Sequence, residues 1–431
     1  MNNSAGRKEN TASLMRGTDY ALIAMIMGLM GVFFWAIRGT GGFGGESGGL
    51  LAGLGWAVLW LLFSRLDGAA GRRPYGSGKM MAAITFGIAV GGLTGYGVYI
   101  AWLQGKFYLD YPNGLRAVAP WTGYWMLFFC GLHWGGLAGA FMAWCAPKRP
   151  LGWGAWAARI AAGIGGAFAA SCLVRMSPQS FLPFYSEGLY EIAGNKTCIR
   201  ALDSIRNIAP HVGMFLGFLC FEVFRRDWRA AALMLVMAFG FAIPFTVGGY
   251  WHTFQDSALK LPWWKNWEMS IGLGGGLAFG LAFFLFNRPD TKAASRRVTR
   301  NEHIWGICFP LLFGCGAVVN GAFEGFSRLH GINWPAPMDT IVSAACLVPA
   351  TLLLLWWIAL ARCHGTAEQA APMPTWSLVG VLALIWFVGY AISFPPEMHL
   401  ANAYLLALYT ACLTVSLGLV GVLRIRQARQ P

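Results

Sequence analysis

Tyr20-Ala21-Leu22-Ile23-Ala24-Met25-Ile26-Met27-Gly28-Leu29-Met30-Gly31-Val32-Phe33-Phe34-Trp35-Ala36-Ile37 runs for eighteen residues without a charge and stops at Arg38. A helix needs roughly 20 mostly apolar residues to cross a hydrocarbon core about 30 Å thick. Inside that core only helices and closed barrels satisfy their own backbone N–H and C=O groups. Barrel strands alternate apolar and polar residues, whereas this run is apolar on every face. The first nineteen residues are polar, so the run reads as a permanent span rather than the core of a cleaved signal peptide.

The same pattern recurs along the chain. Of its 431 residues 57% are hydrophobic and 12% charged, about half the charged share of a soluble domain. The apolar runs predict helices over 20–38, 46–65, 80–104, 121–145, 153–174, 207–225, 229–250, 268–287, 304–327, 338–361, 376–394 and 402–424. The expected fold is an all-α polytopic integral membrane protein of twelve transmembrane helices between tails 1–19 and 425–431. Its net charge of +14 lies in short Lys/Arg clusters between apolar runs, which fits membrane topology and not nucleic acid. Alternate connections carry 21 and nine basic residues, and the richer set includes both tails. By the positive-inside rule both termini are expected in the cytoplasm, in a bacterial inner membrane. The longer loops, 105–120, 175–206 and 251–267, then face the other side.

Sliding the sequence on itself aligns Ser47-Gly48-Gly49-Leu50…Gly53-Leu54…Leu62-Phe63-Ser64-Arg65 with Ser270-Ile271-Gly272-Leu273…Gly276-Leu277…Leu285-Phe286-Asn287-Arg288, at a constant offset of 223. One inserted residue also aligns Glu46 with Glu268. The expectation is an internal repeat of two parallel six-helix units, 20–225 and 229–424, related by a pseudo-two-fold along the membrane normal. Asp67-Gly68-Ala69-Ala70-Gly71-Arg72-Arg73 resembles in kind the loop signature of the major facilitator superfamily of transporters. Its spacing is off by one, the preceding Gly is absent, and Arg225-Arg226-Asp227-Trp228-Arg229 leaves no long linker between the halves. The chain is not assigned to that family.

Ten cysteines show no C-x-x-C spacing, and most lie inside apolar runs, so no metal or other cofactor follows from them. Cys172 and Cys198 are placed either to pair across an oxidised loop or to remain free thiols. Ionisable groups at membrane depth are costly and are site candidates by default. Arg38 to Gly49 holds seven glycines between Arg38, Glu46 and Ser47, a glycine-rich loop able to line a cavity or make a tight turn. Glu268 follows Trp263-Trp264-Lys265-Asn266-Trp267, which suits an interfacial belt or a platform for a sugar face. His133 reads as interhelical glue or a proton relay. Asn320 and Glu324 share one face of a helix. Arg38, Glu46, Ser47, His133, Trp267, Glu268, Asn320 and Glu324 are the expected substrate- or ion-binding residues, with Glu46, Glu268 or Glu324 as the carboxylate partner of Arg38.

These features point to a secondary-type transporter of a small polar solute, sugar-like or an organic anion, coupled to H+ or Na+. The alternative is a membrane-embedded transferase acting on a sugar or lipid-linked substrate, with Glu46 or Glu268 as general base. Its external loop 175–206 offers only Glu187, Glu191 and Asp203, and no His. A channel is a weaker third reading, because no ring of repeated filter residues is evident.

Overall fold

The computed structural model describes residues 15–40, 45–92, 97, 99–148, 151–290, 300–332, 373–394 and 399–428, with scattered positions between 338 and 359. The described chain is almost entirely helical. In order, the helices are α1 (Gly17–Arg38), α2 (Gly45–Arg65), α3 (Lys79–Gly91), α4 (Tyr99–Leu103), α5 (Pro120–Trp144), α6 (Trp153–Met176), α7 (Lys196–Phe224), α8 (Trp228–Gly248), α9 (Trp263–Phe286), α10 (Arg300–Leu329), α11 (Thr375–Ser393) and α12 (Leu400–Ala428). Ten of them are long and apolar enough to cross a membrane, α3 and α4 being the short ones. The chain is an all-α membrane protein. The helix expected over 338–361 lies largely outside the described residues.

Lipid tails are as apolar as leucine, so helices in a bilayer associate through close packing rather than hydrophobic burial. Small residues at i, i+4 spacing provide it here. On α9, Gly272, Gly276 and Gly280 sit directly against Gly31, Met27 and Ala24 of the antiparallel α1, leaving no room for a Cβ. Trp56 of α2 closes this seam by donating its indole N–H to the Met27 carbonyl at 3.2 Å. Gly131, Gly135 and Gly139 of α5 meet Ala242, Met237 and Met234 of α8 in the same way.

α2 and α9 run parallel and in register. Trp56 stacks near Phe279 and Trp60 near Phe283, each pair with ring centroids 5.0 Å apart, and Asn287 Nδ2 donates to Ser64 Oγ at 3.1 Å. At this end of the bundle Arg73 is buried, pairing with Asp67 at 2.6 Å and donating to the Asn287 carbonyl at 2.5 Å. A second buried pair, Arg159–Glu222 at 2.5 Å, joins α6 to α7. Arg225, one turn along α7, also pairs with Glu222, at 3.6 Å.

Several expected boundaries are corrected. In place of the single helix over 80–104, α3 ends at Gly91, with Gly92 as its cap, and α4 begins at Tyr99, while 93–96 and 98 lie outside the described residues. The expected 207–225 helix begins eleven residues earlier, at Lys196. Its first turns are amphipathic, burying Cys198, Ala201, Leu202 and Ile205 while Arg200, Asp203 and Arg206 face outward, and those charges hid the helix. The Trp-rich segment expected to precede a helix at 268 is itself the first turn of α9. Loop 105–120 holds a small antiparallel hairpin, β1 (Lys106–Phe107) with β2 (Arg116–Ala117), tied to neighbouring loops by Lys106–Asp256 at 2.8 Å and by Arg116–Glu187. Cys172 and Cys198 are free thiols.

Candidate functional site

The last carbonyls of α1 have no intrahelical partner. Lys265, in the first turn of α9, reaches across to them. Its ammonium donates to the Ala36 carbonyl at 2.8 Å and to Thr40 Oγ1 at 2.9 Å, and pairs with Glu268 Oε2 at 2.6 Å. Glu268 is 1% exposed and also accepts the Trp264 indole N–H at 3.0 Å. Gly39 is needed here, since a Cβ at that position would collide with Glu268 Oε1. One knot of charge thus joins the end of α1 to the start of α9.

Arg38 is buried beside it, 4% exposed. Its guanidinium packs against the adjoining indoles of Trp35 and Trp134, 5.0 and 4.9 Å from their centroids. Two aromatic faces supply electrostatic stabilisation to a desolvated guanidinium where water is scarce. Trp134 in turn lies flat against Gly91, where α3 breaks, and Gly92 abuts the backbone of Gly45 and Glu46 at the start of α2. His133, fully buried one residue earlier on α5, holds the break from the other side: Nδ1 meets the Phe129 carbonyl at 2.9 Å and the ring also bonds the Gly91 carbonyl. Its ring stands 5.7 Å from that of His211 on α7. The end of α3, the start of α2 and the buried cation therefore meet in one place.

A pocket of about 260 Å³ opens next to the knot, lined by His252, Gln255, Lys260, Leu261, Pro262, Trp263 and Trp264. Two polar groups in its lining, His252 Nε2 and Trp263 Nε1, are buried without a hydrogen-bond partner among the described residues. Such groups cost stability unless something satisfies them. The His252 ring stands 5.3 Å from the Trp264 ring, and Trp264 is the residue that bonds Glu268, so pocket and charged knot share a wall.

Of the eight residues expected from sequence, Arg38, His133, Trp267 and Glu268 belong to this assembly. Trp267 is fully buried, donates to the Phe245 carbonyl at 2.9 Å and backs His252 with ring centroids 5.2 Å apart, so it is a packed residue and not a belt residue. Glu46 is exposed and Ser47 half-buried in the first turn of α2, beside the helix break. Asn320 is exposed, and Glu324 pairs with Arg328 one turn along α10, which places both outside the assembly. Glu268, one of the carboxylates expected to hold Arg38, pairs with Lys265. Lys265, His252, Trp134 and Trp264 carry no spacing signal; only the density of polar and Trp residues between 252 and 268 hinted at them. Comparison with protein-family models, curated proteins and solved structures returns no match.

Proposed function

We propose that this protein is a secondary-type transporter that binds a small polar solute, sugar-like or an organic anion, at the His252–Trp264–Glu268 pocket. The observation that carries the reading is the interrupted helix α3/α4 packed against a buried polar cluster. Discontinuous helices at membrane depth are tolerated where they line a cavity, and transporters build substrate sites from them. Trp263 and Trp264 offer faces for a sugar ring, His252 and Trp263 offer free hydrogen-bonding groups, and Lys265 a charge for a carboxylate. Glu268 is the coupling group: taking up a proton or Na+ would loosen Lys265, which bridges α1 to α9 at this end. The transferase reading finds less support, because two of its three loop carboxylates, Glu187 and Asp203, are engaged by Arg116 and Arg206.

Twelve spans belong to the same proposal: the ten long helices, α3 with α4 as an interrupted eleventh, and the apolar run 338–361. The basic-residue asymmetry then sets both termini in the cytoplasm of a bacterial inner membrane and the 252–268 pocket on the far side. Contacts of Trp56, Trp60 and Ser64 with Phe279, Phe283 and Asn287 support the parallel repeat, since all three pairs have the 223-residue offset and equivalent residues meet only on a two-fold axis. Away from this seam the halves have diverged, α2 being backed by α3 and α9 by α1 and α8.

Thermal-shift titration of the detergent-solubilised protein with a panel of sugars and organic acids tests the binding site. A ligand found this way should bind His252→Ala and Trp264→Ala on the order of tenfold more weakly, the scale of one lost hydrogen bond or stacking contact. Equal affinity for wild type and both variants would put the site elsewhere.

A further inference from the structure

A cavity of about 540 Å³ lies at the opposite end of the bundle from the Glu268 knot, in the cleft between α1, α2, α11 and α12. Its walls are apolar, built from Met30, Leu59, Phe63, Leu382, Leu413 and Val420 among others. Its charges are confined to one end. Arg65 is the last residue of α2, Thr375 the first of α11, and Arg424 lies in the final turns of α12, so three helix ends converge there and two of them bring an arginine. An apolar chamber with two cations at one end matches a molecule that is long, apolar and anionic at its head.

The polar atoms in the lining point the same way. Arg65 Nη1 donates to the Met373 carbonyl at 2.7 Å, while its Nη2 is buried with no partner among the described residues. Ser416, 2% exposed, and Trp386, 6% exposed, line the cavity with Oγ and Nε1 likewise unsatisfied. A buried guanidinium N–H, a hydroxyl and an indole N–H left unmade are costly in a bilayer, where water does not reach them. Phosphate and ester oxygens would accept from all three kinds of donor. We propose that this cavity holds an acyl chain of an anionic phospholipid from the surrounding bilayer, its phosphate clamped between Arg65 and Arg424. Basic recesses between transmembrane helices recognise lipid headgroups in this way, and burying the acyl chain adds to the affinity.

The test titrates phosphatidylglycerol and phosphatidylcholine separately into the detergent-solubilised protein and follows the midpoint of thermal unfolding, with native mass spectrometry counting retained lipid. Wild type should show a saturable rise with phosphatidylglycerol, half-complete at a concentration on the order of tenfold lower than with phosphatidylcholine, and one retained phosphatidylglycerol. The double variant Arg65→Gln/Arg424→Gln should lose the preference, Gln keeping a donor for Met373. Because that variant shortens the side chain that holds the Met373 carbonyl, a folding defect would mimic lost binding, and Ala383→Trp gives a second arm. Ala383 lines the cavity on the exposed side of α11, so an indole there fills the chamber and leaves both arginines in place. It should abolish the rise and the retained lipid. Equal response to the two lipids in wild type, or a phosphatidylglycerol response that survives in Ala383→Trp, overturns the proposal. So does an Ala383→Trp protein that is simply more stable while wild type ignores lipid, which would mean that the cavity is a void closed by protein.

Discussion

Glu268 shows how much one residue's setting decides. Sequence marked it through its alignment with Glu46, yet the two occupy unlike places: Glu268 is buried and doubly bonded, and Glu46 is exposed in the first turn of its helix. Glu268→Gln keeps volume and removes charge, and Lys265 retains the Ala36 carbonyl and Thr40 as partners. The variant should therefore fold, with a thermal midpoint near that of wild type, and fail in gradient-driven uptake. Glu46→Gln should leave both quantities close to wild type. An uptake defect in Glu46→Gln equal to that of Glu268→Gln would move the coupling role to the glycine-rich turn. Arg38→Lys should lose function as well, because an ammonium on a flexible stem does not reproduce a planar cation packed against two indoles. Arg38 was legible as a costly intramembrane charge. That its neighbours are Trp35 and Trp134 was not, since no local rule links positions 38 and 134.

At the scale of elements, apolar periodicity located the long helices well because lipid imposes a nearly fixed length on each span. It failed where polar residues take part in a helix, as in the first turns of α7 and α9, and where an apolar run conceals a break, as between α3 and α4. Composition shows that Gly91 and Gly92 are small; only the packing of Trp134 and the Gly45–Glu46 backbone against them shows why the helix stops there. The close glycine seams carry a direct test. Any side chain at Gly276 meets the Met27 carbonyl across the α1/α9 contact, whereas Gly418 on α12 has nothing within 4 Å of a built Cβ. Gly276→Leu should destabilise by about 1–3 kcal/mol or more, the range for overpacked cores, and Gly418→Leu by little. Thermal unfolding in one detergent compares them, and equal losses would mean that α1 and α9 do not pack as described.

For the whole molecule, class followed from composition and length, since 57% hydrophobic and 12% charged residues leave no soluble alternative of this size. Substrate did not follow, because in the proposed transporter solute specificity would rest on a few side chains brought together from α1, α5, α9 and the segment after α8. Topology has its own check. Single cysteines at residue 70 and at the exposed residue 191, in a background without reactive thiols, should label from opposite faces of the membrane, 70 from the cytoplasm. Labelling of both from one face would contradict the charge-derived orientation. Transport itself is tested most directly by uptake of radiolabelled sugars and organic acids into proteoliposomes, with and without an imposed H+ or Na+ gradient, for wild type and Glu268→Gln. Gradient-dependent accumulation of one solute class by wild type, reduced to the level of empty vesicles in Glu268→Gln, is the expected result. Accumulation by Glu268→Gln equal to wild type, or uptake by wild type that ignores both gradients, would contradict it.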